Sequence, residues 1–279
     1  MVRILEKQEL NKQVFRVVLD TPLIAAKAKP GQFVIVRVDN DGERIPLTIS
    51  DYDRKNGTIS LVVQVVGAST HQFSCMQAGD FLQDVVGPLG KPSELEGIRS
   101  AAVIGGGVGC AIAYPIAREL KEMGAKVDSV IGFRNADLVI LEKEFEAVSE
   151  EMKLMTDDGS AGEKGLVTDA LKALVDSGRT YDVVFAIGPL VMMKFVSLLT
   201  KRYEIPTVVS MNPIMIDGTG MCGGCRLTVG GKMKFACIDG PDFDGHLVDF
   251  DEMLMRGRMY AEQEKHAYEK ACNLFKKEV

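Results

Sequence analysis

The sequence predicts a small antiparallel β barrel followed by an α/β unit on a parallel sheet, closed by a cysteine-bearing segment and a helix. Three observations carry that expectation. Short runs alternating apolar and polar residues fill the first third, strand and helix patterns alternate through the middle, and three of the six cysteines crowd into residues 217–237. The units run 1–98, 99–210 and 211–279.

In the first unit, "QVFRVVLD", "GQFVIVRV" and "GTISLVVQVV" are separated by turn formers such as Pro30-Gly31 and Asn56-Gly57. Strands this short at this spacing suit a barrel. The second unit opens on the buried-strand run "SAAVIGGG" and continues through "KVDSVIGF", "MKLMTDD", "YDVVFAIG" and "PTVVSM", with helical patterns between them. That rhythm belongs to a parallel sheet wrapped by helices. In the third, "RLTVGGKMKFA" reads as a hairpin with a Gly-Gly turn, and apolar and charged residues recur at helical spacing from about Asp251 to Lys277.

Composition narrows the function. With 279 residues, 46% hydrophobic and 26% charged, the chain reads as an ordinary globular protein, and no apolar run is long enough to span a bilayer. The N-terminus lacks the pattern of a secretory signal, so a cytoplasmic chain is expected. A net charge of −6 and the lack of a basic patch argue against nucleic acid as a partner.

Clustered cysteines in a reducing compartment more often bind metal than form disulfides. Cys222 and Cys225 have C-x2-C spacing, so one turn can aim both thiolates at one centre, and Gly223-Gly224 keeps that turn free of side chains. The hairpin returns Cys237 after eleven intervening residues. Asp217-x4-Cys222-x2-Cys225 then follows the plant-type iron–sulfur spacing, with aspartate at the first cysteine position, and makes Asp217 the fourth ligand of a [2Fe–2S] cluster. Other arrangements stay open on the residues alone. Asp217 can simply shape the "DGTG" turn, leaving Asp239 or Asp242 to ligate, or His246 can complete a Cys3His zinc site. The scattered Cys75, Cys110 and Cys272 read as apolar packing.

Gly105, Gly106, Gly107 and Gly109 stand where a strand turns into a helix, so backbone amides can approach a pyrophosphate, although a tight turn without ligand gives the same pattern. The third fingerprint glycine is absent, and the second strand ends in "GFRN" with Arg134 rather than an acidic residue. "TDDGSAGEKG" and "AIGPLVMM" follow later strands at the carboxyl edge, where open parallel sheets bind ligands. In the barrel, "GERIPLTIS" and "VVQVVGASTHQF" suit a flavin and its phosphates as well as an ordinary edge strand and turn.

The order of barrel, sheet and cysteine segment resembles the ferredoxin–NADP reductase superfamily, in the branch of the dihydroorotate dehydrogenase electron-transfer subunit. "TDDGSAGEKGLVTD", "AIGPLVMM" and "DGTGMCGGCRLTVGGK" are most similar to small subunits of electron-bifurcating ferredoxin/NAD/NADP transhydrogenases, also known as sulfide dehydrogenase subunits. The resemblance implies FAD on the barrel, NAD(H) on the sheet and a [2Fe–2S] cluster beyond it, held by Asp217, Cys222, Cys225 and Cys237. It assigns the isoalloxazine to Pro46, Leu47 and Thr48, and the flavin pyrophosphate to Gly67, Ser69 and Thr70. The nicotinamide nucleotide falls to Gly106, Gly107, Gly109, Asp158, Gly159, Gly188 and Pro189. Leu47 replaces the tyrosine of the superfamily's R-x-Y-[ST] pattern and Arg44 precedes it by one extra place, which leaves the contact of Arg44 with flavin open. NADP(H) also stays open through Arg134. The same resemblance implies a larger flavin and iron–sulfur partner subunit, with ferredoxin reached through it. Its alternatives are the electron-transfer subunit of a different oxidoreductase and a stand-alone NAD(P)H reductase. No acid–base catalytic residue is required.

Overall fold

The computed structural model describes residues 1–275; Lys277, where the helical tail was expected to end, and the side chain of Cys272 lie outside the described residues. The barrel comprises β1 (Val2–Asn11), β2 (Val14–Asp20), β3 (Phe33–Arg37), β4 (Ile45–Asp53), β5 (Thr58–Gln64), β6 (Phe81–Leu82) and β7 (Asp84–Leu89), in the order β6-β1-β2-β5-β4-β3-β7. Helices α1 (Pro22–Ala25) and α2 (Ala68–Cys75) lie between its strands. Because β6 pairs with β1 and β7 with β3, one continuous stretch pins both edges and nearly closes the barrel. Alternation explains its interior. Ile59, Leu61 and Val63 of β5 are buried, while the residues between them are half-exposed.

Strand β3 departs from that alternation. Val34 and Val36 face the barrel core, whereas Phe33 and Ile35 on its opposite face join the core that contains Cys225, Leu227 and Cys237. The unbroken apolar run "FVIV" thus belongs to a strand buried on both faces.

The second unit comprises β8 (Ser100–Gly106), α3 (Cys110–Glu122), β9 (Lys126–Phe133), α4 (Glu142–Val148), β10 (Glu151–Thr156), β11 (Glu163–Lys164), α5 (Val167–Asp176), β12 (Val183–Ile187), α6 (Leu190–Arg202) and β13 (Thr207–Ser210). Its strands run parallel in the order β11-β10-β9-β8-β12-β13. Ala101 and Val103 of β8 pack with α3 and α4, and Ala102 and Ile104 with α5 and α6, so the sheet is covered on both faces.

The chain then forms the hairpin β14 (Arg226–Val229) and β15 (Lys232–Phe235), whose turn glycines Gly230 and Gly231 both take the positive φ that such a turn demands. After α7 (Ala236–Asp239), β16 (Asp242–Asp244) adds an antiparallel edge to β13. α8 (Phe250–Arg256) buries Phe250 and Met253, and α9 (Ala261–Phe275) lies against α2, with Tyr268 edge-on to His71. The expected tail helix therefore packs on its own barrel. Of the scattered cysteines Cys110 is buried, but Cys75, at the last position of α2, is exposed, against the expectation of packing.

Asp242 is half-buried, with its carboxyl Oδ1 shielded from water. Its Oδ2 accepts from Ser93 Oγ at 2.5 Å, Oδ1 has no partner, and burial raises its pKa to about 6 against the donation of Ser93 and Ser210. A carboxyl whose folded pKa lies above its unfolded value binds more protons when folded. It therefore favours folding at low pH, and this contribution is lost as pH rises from about 4 to about 6, by roughly 3 kcal/mol at 1.36 kcal/mol per unit. Asp242→Asn is expected to raise the thermal midpoint at about pH 8 and to change it little at about pH 4, measured by circular dichroism.

Candidate functional site

Segment 211–225 joins β13 to β14 as a loop in which Gly218, Gly220 and Gly223 all have positive φ, a path that side chains at those positions would oppose. A Cβ on Gly218 would lie 2.9 Å from Ile35 Cγ1 of the barrel. Closely approaching backbone is what brings the loop down onto the outer face of β3.

The hairpin does what its spacing promised. It returns Cys237 to Cys225, with the two sulfurs 3.2 Å apart, both buried, and the Cys237 amide 3.5 Å from Cys225 Sγ. Burial and the neighbouring Cys225 thiol push the Cys237 pKa up to about 12. Two buried thiols held this close become thiolates only beside positive charge, the condition a metal centre supplies. Cys222 lies on the exposed side. The amides of Gly224 and then Asp217 lower its pKa by donating to its sulfur, which ties Cys222 to the backbone of Asp217.

The carboxylate of Asp217 is held below its ordinary range, first by the Thr219 hydroxyl, then by the amides of Thr219 and Met221, with the charge of Arg44 adding to them. Three soft sulfurs and one carboxylate fit iron in an iron–sulfur centre. The alternative ligands are engaged elsewhere. Asp239 accepts from the Phe235 amide at 2.8 Å, Asp242 is bonded to Ser93, and His246 Nε2 is 3.0 Å from Thr200 Oγ1. Among the described residues no three His, Cys, Asp or Glu side chains converge on the position of a single ion. That holds for the Asp217 set and for the Cys3His zinc set alike.

Pro46, Leu47 and Thr48 lie half-buried on β4, opposite Ile35, Val34 and Phe33 of β3. Gly67 precedes α2 with open space where a Cβ would stand, a cradle that fits a phosphate beside the first amides of the helix. Thr70 Oγ1 accepts from the amides of Val66 and Gly67 at 3.0 Å, so its hydroxyl shapes the loop, and Ser69 donates to Glu43.

A cavity of about 880 Å³ lies at the carboxyl edge of the parallel sheet, with Gln64 of the barrel and Asn212 at the start of the cysteine segment among its lining. Gly106, Gly107, Gly109, Gly188 and Pro189 all line it. They do different things there. A Cβ on Gly109 would meet Ile187 O at 2.5 Å and one on Gly188 would meet Gly106 Cα at 3.1 Å, so these glycines let two loops touch. Gly107, with φ +55° and nothing within 4 Å, faces open space. Asp158 and Gly159 stand outside the lining, since Asp158 accepts from the Ser160 amide at 2.9 Å and from its hydroxyl; Asp157 lines the cavity instead. Arg134 lines it at the end of β9. Sequence reasoning missed Leu166 to Asp169 at the start of α5, and Asn212. Their signal was positional, since each follows a strand or loop at the carboxyl edge.

Residues 2–93 match the model of an oxidoreductase FAD-binding domain, and residues 212–249 that of the iron–sulfur cluster binding domain of dihydroorotate dehydrogenase B. The chain is 49% identical to a dihydroorotate dehydrogenase B (NAD(+)) electron transfer subunit homolog of Thermotoga maritima, over 96% of this chain and 94% of that one. It is 32% identical to the dihydroorotate dehydrogenase B (NAD(+)) electron transfer subunit of Enterococcus faecalis, over 87% and 95%. A chain in the structure of an NADH-dependent reduced ferredoxin–NADP oxidoreductase, studied for flavin-based electron bifurcation, superposes with a TM-score of 0.92 at 46% identity over 97% of both chains. With its FAD-binding barrel, parallel sheet and iron–sulfur segment, the chain is an oxidoreductase subunit that belongs to the family of dihydroorotate dehydrogenase B electron-transfer subunits and their homologues.

Proposed function

We propose that this chain is the small subunit of a cytoplasmic, electron-bifurcating ferredoxin/NAD/NADP transhydrogenase, passing electrons between NAD(H), FAD and a [2Fe–2S] cluster. FAD is assigned to 1–98, NAD(H) to 99–210 and the cluster to 211–279, with Asp217, Cys222, Cys225 and Cys237 as its ligands. The observation that carries the proposal is the cavity at the carboxyl edge of the sheet, lined by Gly106, Gly107, Gly109, Gly188 and Pro189 together with Gln64 of the barrel and Asn212 of the cysteine segment.

A nicotinamide yields electrons as a hydride pair and an iron–sulfur cluster passes them singly, so a flavin between them supplies the conversion. The protein's own part is placement. Gly107 leaves room for the dinucleotide at the helix start, Gly109 and Gly188 keep the two loops together, and Pro189 begins α6 beside them. Pro46 to Thr48 would present a half-buried strand to the flavin, and Ile35, the register partner of Pro46, also meets Gly218 in the loop of Asp217. The buried Cys225 and Cys237 and the more exposed Cys222 and Asp217 would hold the cluster, near Ile216, Met221 and Ile238, which are 57%, 88% and 45% exposed. That apolar rim suits a larger flavin and iron–sulfur subunit, through which ferredoxin is reached.

The name of the Thermotoga maritima relative supports a second reading, the electron-transfer subunit of a dihydroorotate dehydrogenase. The two separate by partner. The purified chain is expected to reduce artificial dyes with NADH and to couple NADPH oxidation to ferredoxin reduction only with its co-purifying subunit. A partner that oxidises dihydroorotate would favour the second reading, and coupled activity by the single chain would exclude the subunit role.

A further inference from the structure

We propose that Arg118, through its ion pair with Asp51, is a positioning residue that aligns the nicotinamide-binding sheet with the flavin-binding barrel for hydride transfer. The inference rests on the reading that places FAD on the barrel and NAD(H) on the sheet. Two elements meet here. Helix α3 starts directly after Gly107–Gly109, the glycine loop that lines the cavity, and strand β4 carries Pro46 to Thr48, the residues assigned to the isoalloxazine. Three residues beyond Thr48, Asp51 Oδ1 accepts from Arg118 Nη1 at 2.5 Å, and beside it Tyr52 donates to Glu119 Oε2 at 3.2 Å. The two bonds tie one strand of the flavin unit directly to the helix that begins at the nicotinamide loop.

The guanidinium is held from several sides. It lies 5.5 Å from the ring centre of Tyr52 and 5.9 Å from that of Tyr114, and Glu122, one turn further along α3, is 3.8 Å from its Nε. Among the described residues the barrel strands make one other side-chain hydrogen bond to the sheet unit, a long one from Asn11 Nδ2 to Leu138 O at 3.4 Å. Around these bonds the contact is apolar. Val14 of β2 joins the core that includes α3, and Leu10 and Val62 of the barrel and Val108 and Ile112 pack against it. Apolar burial has no direction, so it holds the two surfaces together but tolerates sliding. A charge-assisted hydrogen bond has a preferred distance and angle, so it sets the alignment. Alignment matters because Gln13, Val14 and Gln64 of the barrel line the cavity together with Gly107. Hydride transfer breaks a carbon–hydrogen bond of the nicotinamide and forms a nitrogen–hydrogen bond on the flavin, carrying both electrons with the hydrogen, and it needs the reacting atoms about 3–3.5 Å apart. A displacement of about 1 Å costs up to about a hundredfold in rate. With its side chains 21% and 44% exposed, the Arg118–Asp51 pair adds little to folding stability, so the two effects separate.

The test follows bleaching of the flavin by saturating NADH in rapid mixing of the purified, cofactor-loaded chain. The long-wavelength absorbance that reports stacking of nicotinamide on flavin, the bound FAD and the thermal midpoint are measured beside it. Arg118→Gln is expected to slow bleaching about tenfold and to weaken the long-wavelength band, with FAD content, KM for NADH and thermal midpoint close to wild type. Asp51→Asn should do the same. The double variant should be no slower than either single one, since both remove one shared interaction, and Arg118→Lys should recover most of the rate. Unmoved bleaching, additive losses in the double variant, or loss of FAD from Arg118→Gln overturns the proposal, the last by making the pair part of the flavin site. Gly107→Leu tells the two layers apart. An unchanged KM for NADH in that variant removes the sheet as the nicotinamide site and the role of Arg118 with it, whereas a raised KM there beside unmoved bleaching in Arg118→Gln overturns the role of Arg118 alone.

Discussion

Asp217→Ala is expected to reduce iron and acid-labile sulfide bound per chain by at least about tenfold, the scale on which metal sites respond to lost support, while bound FAD stays near the wild-type level. The effect should be large because the other three donors cannot compensate. Cys225 and Cys237 are buried on the far side, and Cys222 is already held by the amides of Gly224 and Asp217. The carboxylate also closes its own turn, accepting from the Thr219 amide at 3.0 Å and from its hydroxyl. Loss of that turn alone would cost about 1 kcal/mol. Asp217→Asn keeps an acceptor for Thr219 but removes the anionic ligand, so it too should lose cluster if ligation matters. Asp217→Cys should retain a cluster with a shifted potential, since ligand identity sets that value. Full iron content and a wild-type paramagnetic spectrum in Asp217→Ala would exclude Asp217 as a ligand.

Gly107→Leu should raise the KM for NADH at least about tenfold, roughly 1.4 kcal/mol or more of binding, with FAD and iron content unchanged. The position has φ +55° and open space toward the cavity, so a side chain there projects into the path of the dinucleotide and also strains the backbone by about 1–2 kcal/mol. Gly109→Ala offers the contrast. Its Cβ would press on Ile187 O at 2.5 Å and Gly188 Cα at 2.7 Å, both backbone, so it should lower the thermal midpoint rather than act mainly on KM. Steady-state kinetics with NADH, beside thermal melts of both variants, checks the pair. Loss of flavin in Gly107→Leu with nicotinamide affinity preserved would reverse the assignment of the two sites.

Much of this molecule was legible along the chain. Period-two runs marked the barrel strands, the strand–helix rhythm marked the parallel sheet, and the C-x2-C pair with its Gly-Gly hairpin foretold that Cys237 would meet Cys225. Each of these is a local matter, because backbone period and turn chemistry depend on residues a few positions apart. Contacts between distant segments were a different case. Nothing near Gly218 announces Ile35, nothing near Asp158 says that Asp157 lines the cavity, and nothing in "PDFD" announces an edge strand against β13. The alternating pattern expected of β3 did not announce that both of its faces would be buried, one of them under the cysteine segment. A run of apolar residues specifies how much surface must leave water, and the burial is equally favourable whichever apolar segment does the covering. Which segment arrives is decided by chain connectivity and by the fit of shapes such as Gly218 against Ile35, and these exist only once the whole chain has folded.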